Sequence, residues 1–103
     1  MPAAIQSKSE LISRIRDHRG EILSFAVARL ALFGSFARGE PCEESDVDFL
    51  VEFLEGGKTF RNFMNLAIYL EDLLHRRVEL ITPESISPYL KRPILSGTEN
   101  VLP

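Results

Sequence analysis

The segment LFGSFARGEPCEESDVDFLVEF, residues 32–53, contains two apolar runs separated by a polar loop. The first run breaks at Gly34-Ser35, and the second, DVDFLVEF, is rich in Val and Phe, as β-strands are. Asp46 and Asp48 lie inside this second run, although burying an unpaired charge is costly. These two acids are therefore the feature of the sequence that most needs a functional explanation.

The strand predicted at residues 46–53 would divide its side chains between two faces. Because side chains alternate along a strand, Asp46 and Asp48 share one face. The other face, formed by Val47, Phe49 and Val51, is predicted to pack in the core. Two like charges this close repel each other, and a bound divalent cation removes that cost. The pair is a candidate metal site, although alternating acids on a half-exposed strand are also common without a metal.

Two further features of the sequence point to the same chemistry. RVELI, residues 77–81, is predicted to be a third strand, and its one acid, Glu79, reaches the aspartates if this strand lies beside the second. Three carboxylates around Mg²⁺ or Mn²⁺ form a phosphoryl-transfer site. Gly34 allows the backbone to approach a phosphate closely, and the Ser35 hydroxyl at a helix start favours anions. Arg38, one turn later, can add a charge-assisted contact to a phosphate.

The remaining pattern predicts helices around a small sheet. Ser7 and Glu10 fit a capping box at the start of a helix from residue 8 to about 25. The other predicted elements are a strand at 29–33, a short helix at 34–40, a loop at 41–45, a turn at 55–58, a helix from 60 to about 75 capped by Thr59, a helical turn at Thr82-Pro83 and a helix from 88 to about 96. This order predicts an α/β (α+β) fold with a small mixed sheet of three to four strands flanked by helices.

The long helix predicted from residue 60 has an apolar stripe at helical spacing. We expect this stripe to belong to the core rather than to a cofactor site. Its members are Phe60, Phe63, Met64, Ala67, Leu70 and Leu74.

Length and composition exclude several classes of protein. The 103 residues, 45% hydrophobic and 26% charged, predict a single globular domain over residues 1–103. A net charge of -3 argues against direct nucleic-acid binding, which needs a basic surface. The chain lacks an apolar segment of the roughly 20 residues that span a membrane, and its start lacks the apolar core of a signal peptide. We therefore predict a cytoplasmic protein without membrane contact. Cys42 is the single cysteine, so an internal disulfide is excluded.

The motif residues resemble a known superfamily. An apolar strand, Gly-Ser, ten intervening residues and an Asp-x-Asp strand are similar to the signature of the DNA polymerase β-like nucleotidyltransferases. GSFARGE, SDVDFLVEF and RVELITPESISPYL together resemble the minimal nucleotidyltransferase (MNT) domain of prokaryotes, from about residue 8 to 95. The resemblance implies the polymerase β-like nucleotidyltransferase fold.

The resemblance also implies a role for each acid in the motifs. Asp46 and Asp48 would hold two metal ions, Mg²⁺ or Mn²⁺, and would be catalytic together with Glu79. Glu79 is a departure, because the family usually has a third Asp at this position. The longer side chain keeps the charge and changes the geometry.

The nucleotide would be bound by the Gly-Ser loop and its neighbours. In the resemblance, Gly34 and Ser35 bind the triphosphate of ATP, and Arg38 and Ser45 match residues often found in this subgroup. His18 and His75 are alternative candidates for the general base, but each lies on a predicted helix away from these motifs, where we expect a surface or helix-end role instead.

The MNT resemblance implies a partner as well as a reaction. MNT proteins often pair with a HEPN RNase toxin, and members transfer AMP from ATP to a tyrosine of that toxin. The implied function is that of a metal-dependent protein adenylyltransferase and antitoxin, in a homodimer or a hetero-oligomer with the toxin. Two alternatives stay open. One is a binding-only antitoxin with a site weakened at Glu79. The other is a small-molecule nucleotidyltransferase, which usually needs a second domain.

Overall fold

The computed structural model describes residues 5–40, 46–89, 94 and 97–102. The strands in this part of the chain are β1 (Val27–Phe33), β2 (Val47–Phe53), β3 (Val78–Ile81) and β4 (Glu99–Leu102). The helices are α1 (Lys8–Asp17), α2 (Arg19–Leu23), α3 (Gly34–Ala37) and α4 (Phe60–Leu74), and a 3₁₀ turn spans Pro83–Ser85. The predicted α/β class is confirmed. Among the described helices, none is long and apolar enough to cross a membrane.

The strands form one mixed sheet in the order β3-β2-β1-β4. β1 is antiparallel to both β2 and β4, whereas β2 and β3 are parallel. Parallel neighbours need a crossover connection, which α4 supplies. The register places Asp48 opposite Phe33 on one side and opposite Glu79 on the other. The sheet therefore brings the end of β1 and the predicted acids of β2 and β3 to one place.

The two faces of β2 differ as the sequence predicts. The side chains of Val47, Phe49 and Val51 are fully buried. Asp48, on the opposite face, is half-buried. The core cluster on the apolar face also includes side chains of the first, second and fourth helices: Leu11, Ile15, Ile22, Leu66, Leu70 and Leu74.

The single helix predicted from residue 8 to about 25 is wrong, because the structure breaks it at His18 between α1 and α2. The His18 amide donates to Ile15 O instead of continuing the helical ladder. The imidazole Nδ1 lies 3.0 Å from Arg14 O, which is the carbonyl that this amide would use in a continuous helix. Asp17, His18 and Gly20 are also weak helix formers, so little opposes the break.

The predicted caps of the first and fourth helices are largely confirmed. Ser7 Oγ accepts a hydrogen bond from the Glu10 amide at 3.2 Å, and Thr59 Oγ1 accepts one from the Asn62 amide at 3.1 Å. The Glu10 carboxylate, however, accepts from the amide of Gln6 rather than from that of Ser7. The helix starts were therefore predictable, whereas the reciprocal contact is shifted by one residue.

The last strand was not predicted from the sequence. The elements predicted from the sequence end at about residue 96, but Glu99–Leu102 pairs antiparallel with β1. Val101 and Leu102 are each 3% exposed, so packing and the free edge of β1 stabilise a segment with little strand signal of its own. The helix predicted from 88 to about 96 lies mostly outside the described residues.

The apolar stripe predicted on α4 belongs only partly to the core. Leu70 and Leu74 are fully buried, together with Leu66, which the predicted stripe omits. Phe60 is 81% exposed and Met64 is 39% exposed, so their assignment to the core is wrong. A helix lying on a sheet buries one side, and α4 is turned so that the row of three leucines faces inward.

Candidate active site

The three acids predicted for the site lie on neighbouring strands. Asp48, in β2, is the direct register partner of Glu79 in β3. Asp46 directly precedes β2 and is exposed, as is Glu79, whereas Asp48 is half-buried. The third strand therefore lies beside the second, which was the condition set for Glu79 to reach the aspartates, and the parallel pairing brings the two strand carboxylates side by side.

The charges of the site act most strongly on Asp48. Burial raises the pKa of its carboxyl group to about 6, with help from the negative charge of Glu79, a hydrogen bond between these two carboxyl groups and the charge of Asp46. The positive charge of Arg38 opposes this rise in the pKa. Glu79, Asp46 and Arg38 are thus all close enough to influence Asp48, and negative charge is in excess among these groups.

This excess of negative charge suits a bound cation. Carboxylate oxygens are the ligands that Mg²⁺ and Mn²⁺ prefer, and a cation would relieve the repulsion that acts on Asp48. In the described residues, however, no three side chains of His, Cys, Asp or Glu are placed so that they could hold one ion. Asp48 and Glu79 meet directly, and Asp46 would have to turn toward them. The donor chemistry fits the predicted metals, whose ligands stay a prediction.

Gly34 leaves room for the Asp48 carboxylate. Its φ angle is +76°, in the left-handed region that favours glycine. A side chain at this position would also overlap Asp48 Oδ2, because this oxygen lies closer than van der Waals contact to the place that a Cβ would take. The sequence predicts that this glycine allows close approach of the backbone to a phosphate. The structure adds that the same glycine admits the carboxylate of β2.

The turn that follows Gly34 is anchored by the buried aromatic ring of Phe36. Ser35 and Phe36 lie in the short helix α3, and Phe36 is fully buried. The guanidinium carbon of Arg76 lies 5.1 Å from the centre of that ring, and Arg76 Nε donates to the carbonyl of Ile5. Arg76 was missed from the sequence because it lies in the α4–β3 connection, forty residues from Phe36, and no local pattern links the two.

A cavity of about 300 Å³ opens beside the Gly-Ser turn. Its walls include Phe33, Gly34 and Arg38, together with Ile94 and Gly97 from the C-terminal part of the chain. The volume is at the lower end of the range for small-molecule sites. Arg38 thus lies beside Gly34, as the sequence predicts, whereas Ile94 and Gly97 were not foreseen.

Two features named from the sequence cannot be placed. Ser45, a predicted nucleotide-binding residue, and Cys42 lie outside the described residues. Their assignments stay predictions. The sequence contains only a weak indication that the C-terminal residues approach the site. This indication is the pair of turn residues Gly97 and Thr98 before the last strand.

Comparison with known families identifies related sequences. The model of the family described as "Nucleotidyltransferase domain" matches residues 12–100. "Putative protein adenylyltransferase MJ1379" of Methanocaldococcus jannaschii is 44% identical over 94 residues, which cover 87% of this chain and 93% of that protein. "Protein adenylyltransferase MntA" of Thermococcus cleftensis is 37% identical over 93 residues, covering 89% of this chain and 93% of that protein.

Solved structures share the fold. A structure described as a "putative minimal nucleotidyltransferase" superposes with a TM-score of 0.81 and 31% identity, over 94% of this chain and 98% of that one. This match confirms the predicted nucleotidyltransferase fold.

More distant structures come from toxin–antitoxin complexes. One is a toxin–antitoxin complex with AMP-PNP, with a TM-score of 0.61 and 22% identity over 94% of this chain and 73% of that one. Another contains a tri-AMPylated Shewanella oneidensis HEPN toxin with its MNT antitoxin, with a TM-score of 0.61 and 18% identity over 92% and 71% of the two chains. At these identities the likeness shows the fold alone.

Proposed function

Because the chain belongs to the nucleotidyltransferase domain family, we propose that it is a metal-dependent protein adenylyltransferase and the antitoxin of a HEPN RNase toxin. The observation that carries this proposal is the position of Asp48, whose carboxylate lies between Gly34 and Glu79. The names of the relatives support AMP as the group transferred and a protein as its acceptor. The fold shared with an antitoxin bound to a tri-AMPylated HEPN toxin supports the kind of partner.

The proposed reaction is an in-line displacement at the α-phosphorus of ATP. The hydroxyl oxygen of a toxin tyrosine forms a bond to this phosphorus, and the bond to the pyrophosphate oxygen breaks. The tyrosine proton passes to a carboxylate or to water, and pyrophosphate leaves. Asp48 and Glu79 are the two carboxylates in contact at the site. Either of them could accept the proton only while it is not bound to the metal, because a carboxylate that holds a cation is a poor base. The products are the AMP-tyrosine ester and pyrophosphate.

The residues of the site divide between the phosphates and the metal. Gly34 and Arg38 line the same cavity, and Ser35 follows Gly34 in α3. These three residues would bind the triphosphate, with Arg38 supplying positive charge. Asp48, Glu79 and Asp46 would hold Mg²⁺ or Mn²⁺. When bound, the metal supplies charge neutralisation for the attacking and leaving oxygens.

A transfer assay tests the function directly. The purified chain is incubated with a HEPN RNase protein, ATP labelled at the α-phosphate, and Mg²⁺ or EDTA. We expect label on the toxin with Mg²⁺ and none with EDTA. Asp48→Asn should reduce transfer by roughly 1000-fold, since it removes a charge that acts in the transition state. Glu52→Gln is the matched control, because Glu52 lies on the same face of β2 and forms an ion pair with Arg29.

The same assay separates the alternatives. A toxin that is neutralised but gains no label would contradict the proposal and support a binding-only antitoxin. Label on a small-molecule acceptor but not on the toxin would support a small-molecule nucleotidyltransferase. Mass spectrometry of the labelled toxin, compared with its tyrosine-to-phenylalanine variants, then identifies the acceptor.

Glu79 needs its own test because it replaces the usual Asp. Glu79→Gln keeps the length and removes the charge, whereas Glu79→Asp keeps the charge and restores the usual side chain. If Glu79 is a ligand, Glu79→Gln lowers transfer and raises the Mg²⁺ concentration needed, and Glu79→Asp retains transfer. Full transfer by Glu79→Gln would exclude it from the metal site.

A further inference from the structure

The outer side of α4 carries a row of large apolar side chains in contact with solvent. Phe60 is 81% exposed, Met64 39% and Ile68 53%. Their spacing of four residues places them along one side of the helix. The buried leucines of α4 lie on the other side, so the described part of the chain leaves this row exposed. Three large apolar residues that follow one another at one-turn intervals on a helix surface indicate an interaction surface more than a solvated face.

The charges beside this row are arranged against the helix dipole. Arg61 lies in the first turn of α4, and Asp72 in the last, and both are exposed. Helices favour acids at the N-terminus and bases at the C-terminus. α1 follows that rule, with Glu10 in its first turn and Arg14 and Arg16 in its last. At the C-terminus of α4, Arg14 of the same chain donates a hydrogen bond to the carbonyl of Leu73 at 3.2 Å. The exposed Arg61 and Asp72, at opposite ends of the helix, are the charges that α4 presents to a second element.

We infer that α4 pairs antiparallel with α4 of a second copy of this chain. A twofold axis passing beside position 66 brings Met64 opposite Ile68 of the second copy. The same axis brings Arg61 within about 2 Å along the helix of the level of Asp72 of the second copy, from the rise of 1.5 Å per residue. Eleven residues of α-helix amount to three turns plus about 20°, so Arg61 and Asp72 point to nearly the same side.

The pattern is thus complementary to itself. Each copy contributes one cation and one anion, and a symmetric contact forms two Arg61–Asp72 pairs around the apolar row. The antiparallel arrangement also sets each helix C-terminus beside the N-terminus of the other, which offsets the reversed charges of both helices. A different protein would need to match this pattern independently, whereas a second copy matches it by symmetry.

This pairing leaves the candidate active site open. α4 packs its leucines against the apolar face of the sheet, which carries Phe49, while Asp48 lies on the opposite face. The outer row of α4 points farther still from Asp48. A dimer through α4 therefore presents two sites on outward-facing surfaces, so that dimerisation and transfer can be tested separately.

A charge-swap experiment tests the symmetry. Sedimentation equilibrium of the purified chain over a range of concentrations gives the dimer dissociation constant. We expect Arg61→Asp and Asp72→Arg each to raise it about tenfold, since each replaces two attractive pairs by two repulsive ones. The double variant Arg61→Asp with Asp72→Arg should return it to within about threefold of the wild-type value. Both copies in this experiment carry the same two substitutions. The dissociation constant is expected to recover only if Arg61 and Asp72 meet across a twofold axis.

A second pair of variants tests the apolar row. Ile68→Glu should weaken the dimer by roughly 100-fold, because a charge would be buried at its centre. Leu54→Glu is the matched control, since Leu54 is 54% exposed but lies outside α4, and it should leave the dimer intact. Circular dichroism and transfer activity should be unchanged in all these variants.

Two results would overturn the inference. One is a wild-type chain that stays monomeric at every concentration. If, in addition, Ile68→Glu abolished binding of the toxin, the apolar row would belong to the contact with the toxin. The other is a dimer that neither Ile68→Glu nor the charge swaps affect. Neither result bears on the proposed transfer reaction, which depends on the other face of the sheet.

Discussion

The two faces of β2 show how one strand serves stability and chemistry at once. On the side of the helices, Val47, Phe49 and Val51 are fully buried. On the other side, Asp48 carries a carboxyl group whose pKa is raised to about 6 by burial and by neighbouring acids. Apolar burial on the first face raises the free energy of unfolding, whereas holding carboxylates close together on the second face lowers it. The difference indicates that the sheet can hold an electrostatically unfavourable site because its other face is well packed.

The largest expected effect comes from breaking the apolar face. Phe49→Ala should lower the free energy of unfolding by about 3–5 kcal/mol, because it leaves a cavity at a fully buried ring. Urea denaturation followed by circular dichroism measures this. Transfer activity should fall only in proportion to the unfolded fraction, and a selective loss of activity in the folded chain would contradict the division between the two faces.

The next effect lies at the junction of the site with β1. Gly34→Ala combines a positive φ with an overlap onto the Asp48 carboxylate, so we expect a loss of about 2–3 kcal/mol in unfolding free energy. Gly39→Ala is the matched control, because Gly39 has a φ of +73° and, among the described residues other than its chain neighbours, none lies within 4 Å of the position that its Cβ would take. It should cost about 1 kcal/mol and leave transfer unchanged. Equal effects of the two variants on stability and on transfer would exclude a role for the Gly34–Asp48 contact.

A smaller effect of opposite sign is expected from Asp48→Asn. The Asp48 pKa is 3.8 in the unfolded chain and about 6 in the folded chain. Between these values the folded state keeps a proton that the unfolded state has lost, so the free energy of unfolding falls as the pH rises from about 4 to 6. Above that window the penalty is constant. The group is partly exposed, so we expect Asp48→Asn to be more stable by only about 1 kcal/mol at neutral pH.

The pH dependence supplies the check on that variant. Thermal or urea unfolding of wild type and Asp48→Asn should give a difference that grows between pH 4 and 6 and vanishes below the lower value. A wild-type curve without this fall, or an asparagine variant that is less stable at neutral pH, would show that the carboxylate is not destabilised at this place.

The smallest expected effect tests whether any charge on the open face matters. Glu52 lies on the same face as Asp48 and forms an exposed ion pair with Arg29, with 3.4 Å between the guanidinium nitrogen and the carboxylate oxygen. Glu52→Gln should change the unfolding free energy by less than about 0.5 kcal/mol and leave transfer unchanged. A large effect on either quantity would indicate that the site extends farther along β2.

Much of the fold followed from local patterns. The period-two alternation of β2 predicts both its buried face and the side of its acids, and the caps Ser7 and Thr59 mark the starts of α1 and α4. The nucleotidyltransferase class predicted from the Gly-Ser and Asp-x-Asp motifs is confirmed by the family match over residues 12–100. The single-domain assignment over residues 1–103 stays a prediction.

The features that were missed depend on contacts distant in sequence. β4 forms because β1 offers an unpaired edge, and a short segment such as ENVL carries little information about that edge. The exposure of Phe60 and Met64 depends on how α4 is turned on the sheet, which the apolar spacing alone leaves open. The break at His18 depends on a competing hydrogen bond of its own side chain.

The sequence by itself determined which residues are candidates for the chemistry, since residue type and alternation along a strand are local properties. Gly34, Asp46, Asp48 and Glu79 were all identified in this way. The tertiary structure alone decided how they meet. Only the parallel register of β2 and β3 places Glu79 against Asp48, and only the close packing of β1 on β2 makes Gly34 the residue that admits the carboxylate. Burial and mutual repulsion depend on distances across strands, so the raised pKa of Asp48 arises from the fold and not from any local pattern.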